Sequence, residues 1–268
     1  KRQVLAHGYG PQGGALLIQN EAAKQLAPPM PLDVLNAETQ GMIGYMIQNS
    51  LKNTLLERGI NKQVITIVTQ VVVREDDPAF QNPTKFVGPY YTEEEAKKLM
   101  KEKGWVIKPD PRGGWRRVVP SPEPIDIVEK EAIKKFLECG VITITVGGGG
   151  IPVIKKGDKY IGVEAVIDKD LASSLVAMAI NADMFIILTD VEYAILNYGK
   201  EDMVPLRKVK LAELEKYYNE GHFPPGSMGP KIKALINYLK NGGKVGVIAH
   251  LDKLLEAVEL RTGTIVTR

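Results

Sequence analysis

Apolar and polar positions alternate along this chain with two distinct periods. In AETQGMIGYMIQNSLKNTLL, Ile43, Ile47, Leu51 and Leu55 stand four residues apart, with Met42 and Met46 beside them. That spacing draws one apolar stripe down a helix. An earlier helix is expected from about 15 to 26. The β-branched run VITIVTQVVV, residues 64–73, reads instead as one buried strand. The exchange of helical patterns and short apolar runs resumes in the second half. It predicts helices near 126–138, 170–181, 211–219, 230–239 and 252–259. Strands are expected at 141–146 (VITITV), 184–190 (MFIILTD), KVGVIAH and GTIVT. Between them IPVIKKGDKYIGV predicts a hairpin turning at Gly157-Asp158. Helices and strands alternating in this way predict an α/β layer fold. No internal repeat is visible.

One stretch breaks the alternation. Residues 74–124 hold eight of the 17 prolines and both tryptophans, Trp105 and Trp115. Thr92 with Glu95 predicts a capping box ahead of EEEAKKLMKEKG. WVIK and WRRVV read as short strands joined by PDPRGG. The proline density argues against a place in a central sheet. An inserted subdomain standing off the main sheet is expected here.

Composition narrows the class. The 268 residues suffice for one large domain or two small ones. Hydrophobic residues make up 44% and charged residues 25%, the profile of a globular protein. The net charge is only +3, and lysines alternate with glutamates in EEEAKKLMKEKG and KVKLAELEK. Such runs read as solvated helix faces, and no basic stripe with interleaved aromatics suggests a nucleic-acid partner. The single cysteine, Cys139, excludes an intrachain disulfide and fits a reducing compartment. No apolar run approaches the ~20 residues of a membrane span. No stretch of these residues reads as a signal peptide, and none is expected. A cytoplasmic protein without a membrane partner is expected. Lys1-Arg2-Gln3 leads straight into a strand, so the natural beginning is expected to lie further upstream.

Four segments place a glycine turn or an acidic pair after an apolar strand, at or near the start of a helix: 7–14 (HGYGPQGG), 147–150 (GGGG), 168–170 (DKD) and 226–231 (GSMGPK). Exposed N–H groups at such turns attract anions, and a following helix dipole adds to this. Several in one chain predict a phosphate-rich ligand across strand ends. Each has a plainer alternative. GGGG can be a simple turn. DKD can be a surface charge cluster. Lys231, in the expected first turn after Pro230, can be a tolerated surface lysine, although a cation there opposes the helix dipole unless an anion lies between them. A lysine in DKD could neutralise a phosphoryl group in transit, with an aspartate fixing its position. Familiar alternatives are missing: there is no G-x-x-x-x-G-K-[ST] loop and no protein-kinase signature. His7, His222 and His250 are far apart and Cys139 stands alone, so no metal site is spelled out. His7 reads as a structural histidine beside a turn.

Taken together, HGYGPQGG, PLDVLNAETQGMIGY, DDPAFQNPTKFVGPYY, GWRRVVPSP, GGGGIPV, GVEAVIDKDLA, ILTDV and GHFPPGSMGPK resemble carbamate kinases, of the amino acid kinase superfamily. The resemblance covers essentially all of residues 1–268, read as one amino acid kinase domain. It implies a three-layer αβα sandwich around a mainly parallel sheet, with residues 74–124 as a protruding lid over the acid phosphate. The implied activity is reversible phosphoryl transfer between ATP and carbamate. Catabolically, ADP and carbamoyl phosphate would give ATP, the step that ends fermentative routes such as arginine breakdown. Mg2+ with ATP or ADP and a homodimer are also implied, with the helix of AETQGMIGYMIQ at or near the dimer interface.

Carried over by position, Lys169 and Lys231 match the two lysines flanking the transferred phosphoryl, and Asp170 the aspartate that organises them. Gly147, Gly148, Gly149 and Gly150 match a loop that holds carbamate or carbamoyl phosphate. Gly8, Tyr9 and Gly10 fall in another wall of the substrate site. Arg117 matches a basic lid residue, with Arg116 the neighbouring candidate. Asp168, Asp190, Ser227 and Met228 fall in segments that border the nucleotide.

The chain also departs from the family pattern. The family opens with a strand and a G-G-N-A loop, a β-α unit of roughly 30 or more residues; this chain shows neither, and omission of that segment is the favoured reading. The family form of the first loop is H-G-N-G-P-Q-V-G, so Tyr9 replaces an asparagine and Gly13 a valine. Phe86 replaces a proline. Asparagine tolerates left-handed backbone and offers an amide; tyrosine does neither well. Tyr9 therefore keeps a second expectation open: a catalytically impaired nucleotide-binding homologue acting as a dimeric interaction or regulatory protein.

Overall fold

A computed structural model describes residues 2–110 and 113–268. The chain divides into two compact units, Lys1–Ala172 and Ser173–Arg268. Both are mixed α/β.

In the first unit, strands Val4–Leu5 and Val64–Thr66 flank Ile142–Ile144, each running parallel to it. The helix Leu32–Glu57 covers them. Its four-residue spacing places Ile47, Leu51 and Leu55 on Val64, Ile142 and Ile144. Burying such side chains fully is worth roughly 1.5–3 kcal/mol each.

The run 64–73 is not one strand. It breaks at 67–69 into Val64–Thr66 and Gln70–Val73, which belong to different sheets. The cause is a buried glutamine. Gln40 donates its amide to the Thr69 carbonyl (3.1 Å) and accepts from the Thr69 N–H (2.7 Å). Thr69 also donates its hydroxyl to Ile67 O at 2.7 Å and shares a hydrogen bond with Thr145. These bonds turn the chain out of one sheet and into the next.

The second sheet runs Lys159–Gly162, Ile151–Lys156, Gln70–Val73, Pro124–Ile127. Its hairpin turns at Gly157-Asp158 as expected, with Gly157 at φ 59°. Residues 126 and 127 are strand rather than helix, and the helix begins at Lys130. Pro124 fits because its strand lies at the sheet edge, where a missing N–H costs no ladder bond.

The proline-rich stretch forms a sheet of its own. Lys85–Tyr91 and Ile107–Pro109 pair antiparallel on either side of Trp115–Val119. The helix Glu93–Lys103 starts with the expected Thr92–Glu95 capping box and ends on Gly104 in left-handed geometry. Part of the PDPRGG turn, residues 111 and 112, lies outside the described residues.

The second unit has a sheet ordered Met184–Thr189, Val245–His250, Thr264–Thr267, Lys208–Lys210. Met184–Thr189 and Val245–His250 are parallel, while Thr264–Thr267 turns back against the latter. Val247, Ala249, Ala257 and Ile265 form a core cluster. Tyr238 packs edge-on against Phe185 at 5.6 Å and donates its hydroxyl to Ala182 O at 2.6 Å. A short hairpin, Ala194–Leu196 with Val204–Leu206, and the strand Lys208–Lys210 carry too few apolar residues to be visible in the pattern.

Candidate active site

The first glycine segment is largely helix. After Val4–Leu5 the chain passes through His7 and Gly8, Tyr9 takes the cap position at φ −148°, and the helix Gly10–Ala23 begins. That is five residues earlier than expected, with Pro11 in the first turn, where a proline's missing N–H costs nothing. None of residues 7–14 has a positive φ. The anticipated conflict between tyrosine and left-handed backbone therefore does not arise. What tyrosine does need is room. A Cβ on Gly13 would stand 2.4 Å from Tyr9 Cε2. The Tyr9 ring is buried with Leu32, Val119 and Val166, and burial holds its hydroxyl far above the usual tyrosine range.

The GGGG segment is a tight turn preceded by Val146, fully buried in left-handed backbone at φ 44°. That is strained for a β-branched residue. Gly148 is required twice over: its φ is 66°, and a Cβ there would lie 2.3 Å from Tyr9 Cδ1. The open anion nest expected of this turn is not what forms. Gly148 donates to His7 O (2.7 Å), Gly149 to Val146 O (3.0 Å) and Gly150 to Gly147 O (3.0 Å). Three of the four N–H groups are thus committed to protein carbonyls. His7 closes the turn from the other side. Its Nδ1 lies 2.9 Å from Gly8 O, so that nitrogen carries the proton. Nε2 is buried without a partner among the described residues. Burial lowers the imidazole pKa, partly opposed by the Gly8 bond.

In DKD the two aspartates have different work. Asp168 Oδ1 accepts from Asp170 N (2.9 Å) and Leu171 N (3.4 Å), and its carbonyl accepts from Ala172 N (3.1 Å). It is the cap of the helix Lys169–Ala179. Its Oδ2 lies 3.6 Å from Lys85 Nζ, on the first strand of the proline-rich sheet. Asp170 is 4% exposed and holds Lys169 Nζ at 2.5 Å. The Lys169 stem passes Gly8, with Cδ 3.6 Å from where a Cβ would be. The first unit thus brings together Gly8, Tyr9, Gly148, Lys169 and Asp170.

Arg116 and Arg117 are neighbours on Trp115–Val119 and so point to opposite faces. Arg116 is committed to the sheet itself. It donates to Gly88 O through Nε and Nη2 and to buried Asp110 at 3.1 Å, with the Tyr90 ring 5.0 Å and the Phe86 ring 5.9 Å from Cζ. Phe86, in place of a proline, gives that guanidinium an aromatic neighbour. Arg117 stacks over Trp105 at 4.4 Å and reaches Glu164 Oε2 at 2.5 Å. Glu164 and Lys85 were missed in the sequence, although both lie inside motifs that were singled out.

The remaining candidates lie in the second unit. Asp190 is exposed at the carboxyl end of Met184–Thr189 and accepts from Thr189 Oγ1 at 3.0 Å. The helix Met228–Lys240 starts two residues earlier than expected, which makes Pro230 its third residue and Lys231 its fourth. Ser227 stands at its cap without a side-chain cap bond, and no acidic residue occupies its first turn. No described helix is long and apolar enough to cross a membrane.

Comparison with known proteins agrees with this architecture. The profile of the amino acid kinase family matches residues 1–250. The carbamate kinase of Pyrococcus horikoshii is 57% identical over 266 residues, covering 98% of this chain and 85% of that protein. That of Pyrococcus furiosus is 56% identical, covering 97% and 84%. A solved structure of Giardia lamblia carbamate kinase bound to AMP-PNP matches with a TM-score of 0.93 at 43% identity, covering 99% of this chain and 84% of that one. The chain belongs to the amino acid kinase family and, within it, to the carbamate kinases.

Proposed function

We propose that this protein transfers a phosphoryl group reversibly between ATP and carbamate, and that its catabolic direction makes ATP from ADP and carbamoyl phosphate. The observation that carries this reading is the Lys169–Asp170 pair at a helix start beside Gly8. A nearly buried carboxylate keeps the lysine aimed, while its head stays partly exposed to meet an anion. In the ATP-forming direction an ADP phosphate oxygen attacks the phosphorus of carbamoyl phosphate. The P–O bond to carbamate breaks, and carbamate leaves with its electron pair. No proton need move, so alignment and charge stabilisation are the main requirements. Lys169 supplies charge at the transferred group, and the resemblance gives Lys231 the matching role. The sheet and helix within 74–124 act as the lid, with Arg117 as its cation for the acid phosphate. Asp190, Ser227 and Met228 border the nucleotide, and Asp168 acts there chiefly by capping.

Mg2+ enters as part of the nucleotide substrate. No group of three or more His, Cys, Asp or Glu suited to a metal occurs among the described residues. In this reading the ion is carried mainly on phosphate oxygens and water. A second copy of the chain is the proposed partner. Met42, Tyr45 and Met46, exposed on one stretch of Leu32–Glu57, are its contact. A cytoplasmic location follows from the same reading.

The test is ATP formation from ADP and carbamoyl phosphate. Turnover abolished by Lys169→Ala supports the reading. Nucleotide binding without turnover in the wild type replaces it with the impaired-homologue reading, which Tyr9 motivates.

A further inference from the structure

Two departures from the family form of the first loop, Tyr9 for asparagine and Gly13 for valine, meet in space. The Tyr9 ring stands between Gly13 and Gly148, where Cβ atoms would come within 2.4 Å and 2.3 Å of it. On one side it presses on the first turn of Gly10–Ala23, and on the other on the turn at 147–150. Around its edge lie Leu32, Val166, Val119 and Val87, the last two from strands of the lid sheet. Valine at 13 and tyrosine at 9 could not coexist in this backbone. The pair therefore exchanges volume: a ring on one residue and a vacancy on the other.

We propose that Tyr9, coupled to Gly13, is a positioning residue that sets the acid-phosphate subsite. It acts through Gly148 and the base of the lid rather than by touching the phosphate. The inference rests on the reading above, that the 147–150 turn and the lid receive carbamoyl phosphate. A wedge there fixes the turn, three of whose four N–H groups are already spent on protein carbonyls.

A double-mutant cycle tests it on the full chain, with Tyr9→Asn, Gly13→Val and both together. Two readouts are needed: kcat and KM for each substrate during ATP formation, and the Kd of carbamoyl phosphate from a thermal-shift titration. Each single variant is expected to raise both KM and Kd for carbamoyl phosphate about tenfold or more, since small displacements are costly in a site that works by alignment. The KM for ADP stays within about twofold, because the Tyr9 ring bears on Gly13, Gly148 and the base of the lid, none of them assigned to the nucleotide. The double variant returns to within about threefold of the wild type, because asparagine vacates the space that valine fills. If Gly13→Val does not fold, Gly13→Ala, which adds only the Cβ, takes its place.

Additive effects in the double variant overturn the coupling. Equal loss for both substrates, or loss of thermal stability with the carbamoyl phosphate Kd unchanged, reduces Tyr9 to a core residue and overturns its positioning role. A wild type that binds carbamoyl phosphate without making ATP defeats the proposed reaction alone, and the Kd cycle then still decides the role of Tyr9. A wild type that does not bind it defeats both.

Discussion

The starts of the helices Lys169–Ala179 and Met228–Lys240 each carry a lysine in the first turn, and they are built differently. At Lys169–Ala179, Asp168 caps the backbone and Asp170 pairs with the lysine. At Met228–Lys240, Ser227 makes no cap bond, and no carboxylate stands in the first turn beside Lys231. A lysine at a helix N-terminus faces the positive end of the dipole. The first start balances that charge from within the protein. The second has no acidic residue in its first turn to do so. A carboxylate within the first turn fixes the direction of its lysine; a first turn that holds a lysine and no acid is locally the more positive of the two. The likeness of DKD and GSMGPK in the sequence thus conceals two different helix starts.

Removing the aimed charge should have the largest effect. Lys169→Ala is expected to lower kcat by roughly 10³-fold, the scale of losing one preorganised charge at a transferring phosphoryl group. Its melting temperature should barely move, since the side chain is 36% exposed. Lys231→Ala should instead weaken nucleotide-dependent steps, raising the KM for ADP as well as lowering kcat. Identical kinetic profiles for the two variants would erase the distinction.

The proline-rich sheet repeats the contrast with two arginines. Arg116 is balanced by Asp110, whose side chain is only 1% exposed. Arg116→Ala takes away a charge partner of that buried carboxylate and should cost about 3 kcal/mol in denaturant unfolding. Arg117 faces Glu164, whose side chain is 51% exposed. Arg117→Ala should cost no more than about 1 kcal/mol of stability while raising the KM for carbamoyl phosphate. A larger stability loss at Arg117 than at Arg116 would reverse the assignment. Below these in size comes the cap itself. Asp168→Ala should cost about 1 kcal/mol, and Ser227→Ala should change stability by less than about 0.5 kcal/mol. Equal losses would show that Ser227 caps its helix after all.

These contrasts were only partly legible beforehand, for a physical reason. The stripe of Leu32–Glu57 and the Thr92–Glu95 box repeat over three or four residues, so the chain states them locally. The hairpin at Gly157-Asp158 is equally local. The break in 64–73 depends on Gln40, which lies 29 residues from Thr69 in sequence and leaves no mark on the β-branched run itself. HGYGPQGG looked like an open turn because glycine composition does not say which glycines face a ring. Likewise GGGG was recognisable as a turn, but the destination of its N–H groups depends on where His7 and Val146 place their carbonyls. DKD was visible as a candidate site, yet the capping role of Asp168 and its reach to Lys85 appear only once the helix and the proline-rich sheet are folded.

The smallest expected effect asks the same question of a proton. His7 is a would-be cation that the fold holds neutral. Its Nδ1–H goes to Gly8 O, and its Nε2 is buried against the glycine turn without a partner among the described residues. Desolvation lowers its pKa, with the Gly8 bond opposing in part. As pH falls through the ordinary histidine range, the unfolded chain takes up this proton before the folded one does. The stabilisation is therefore complete above the unfolded pKa and is lost progressively as pH drops toward the folded value. Wild-type protein should lose more unfolding free energy between pH 7.5 and 5.5 than His7→Gln does, since glutamine has no proton to gain. Equal slopes would mean that His7 titrates alike in both states. The turn at Gly147 would then tolerate a charged imidazole, and the fold would not be enforcing neutrality there.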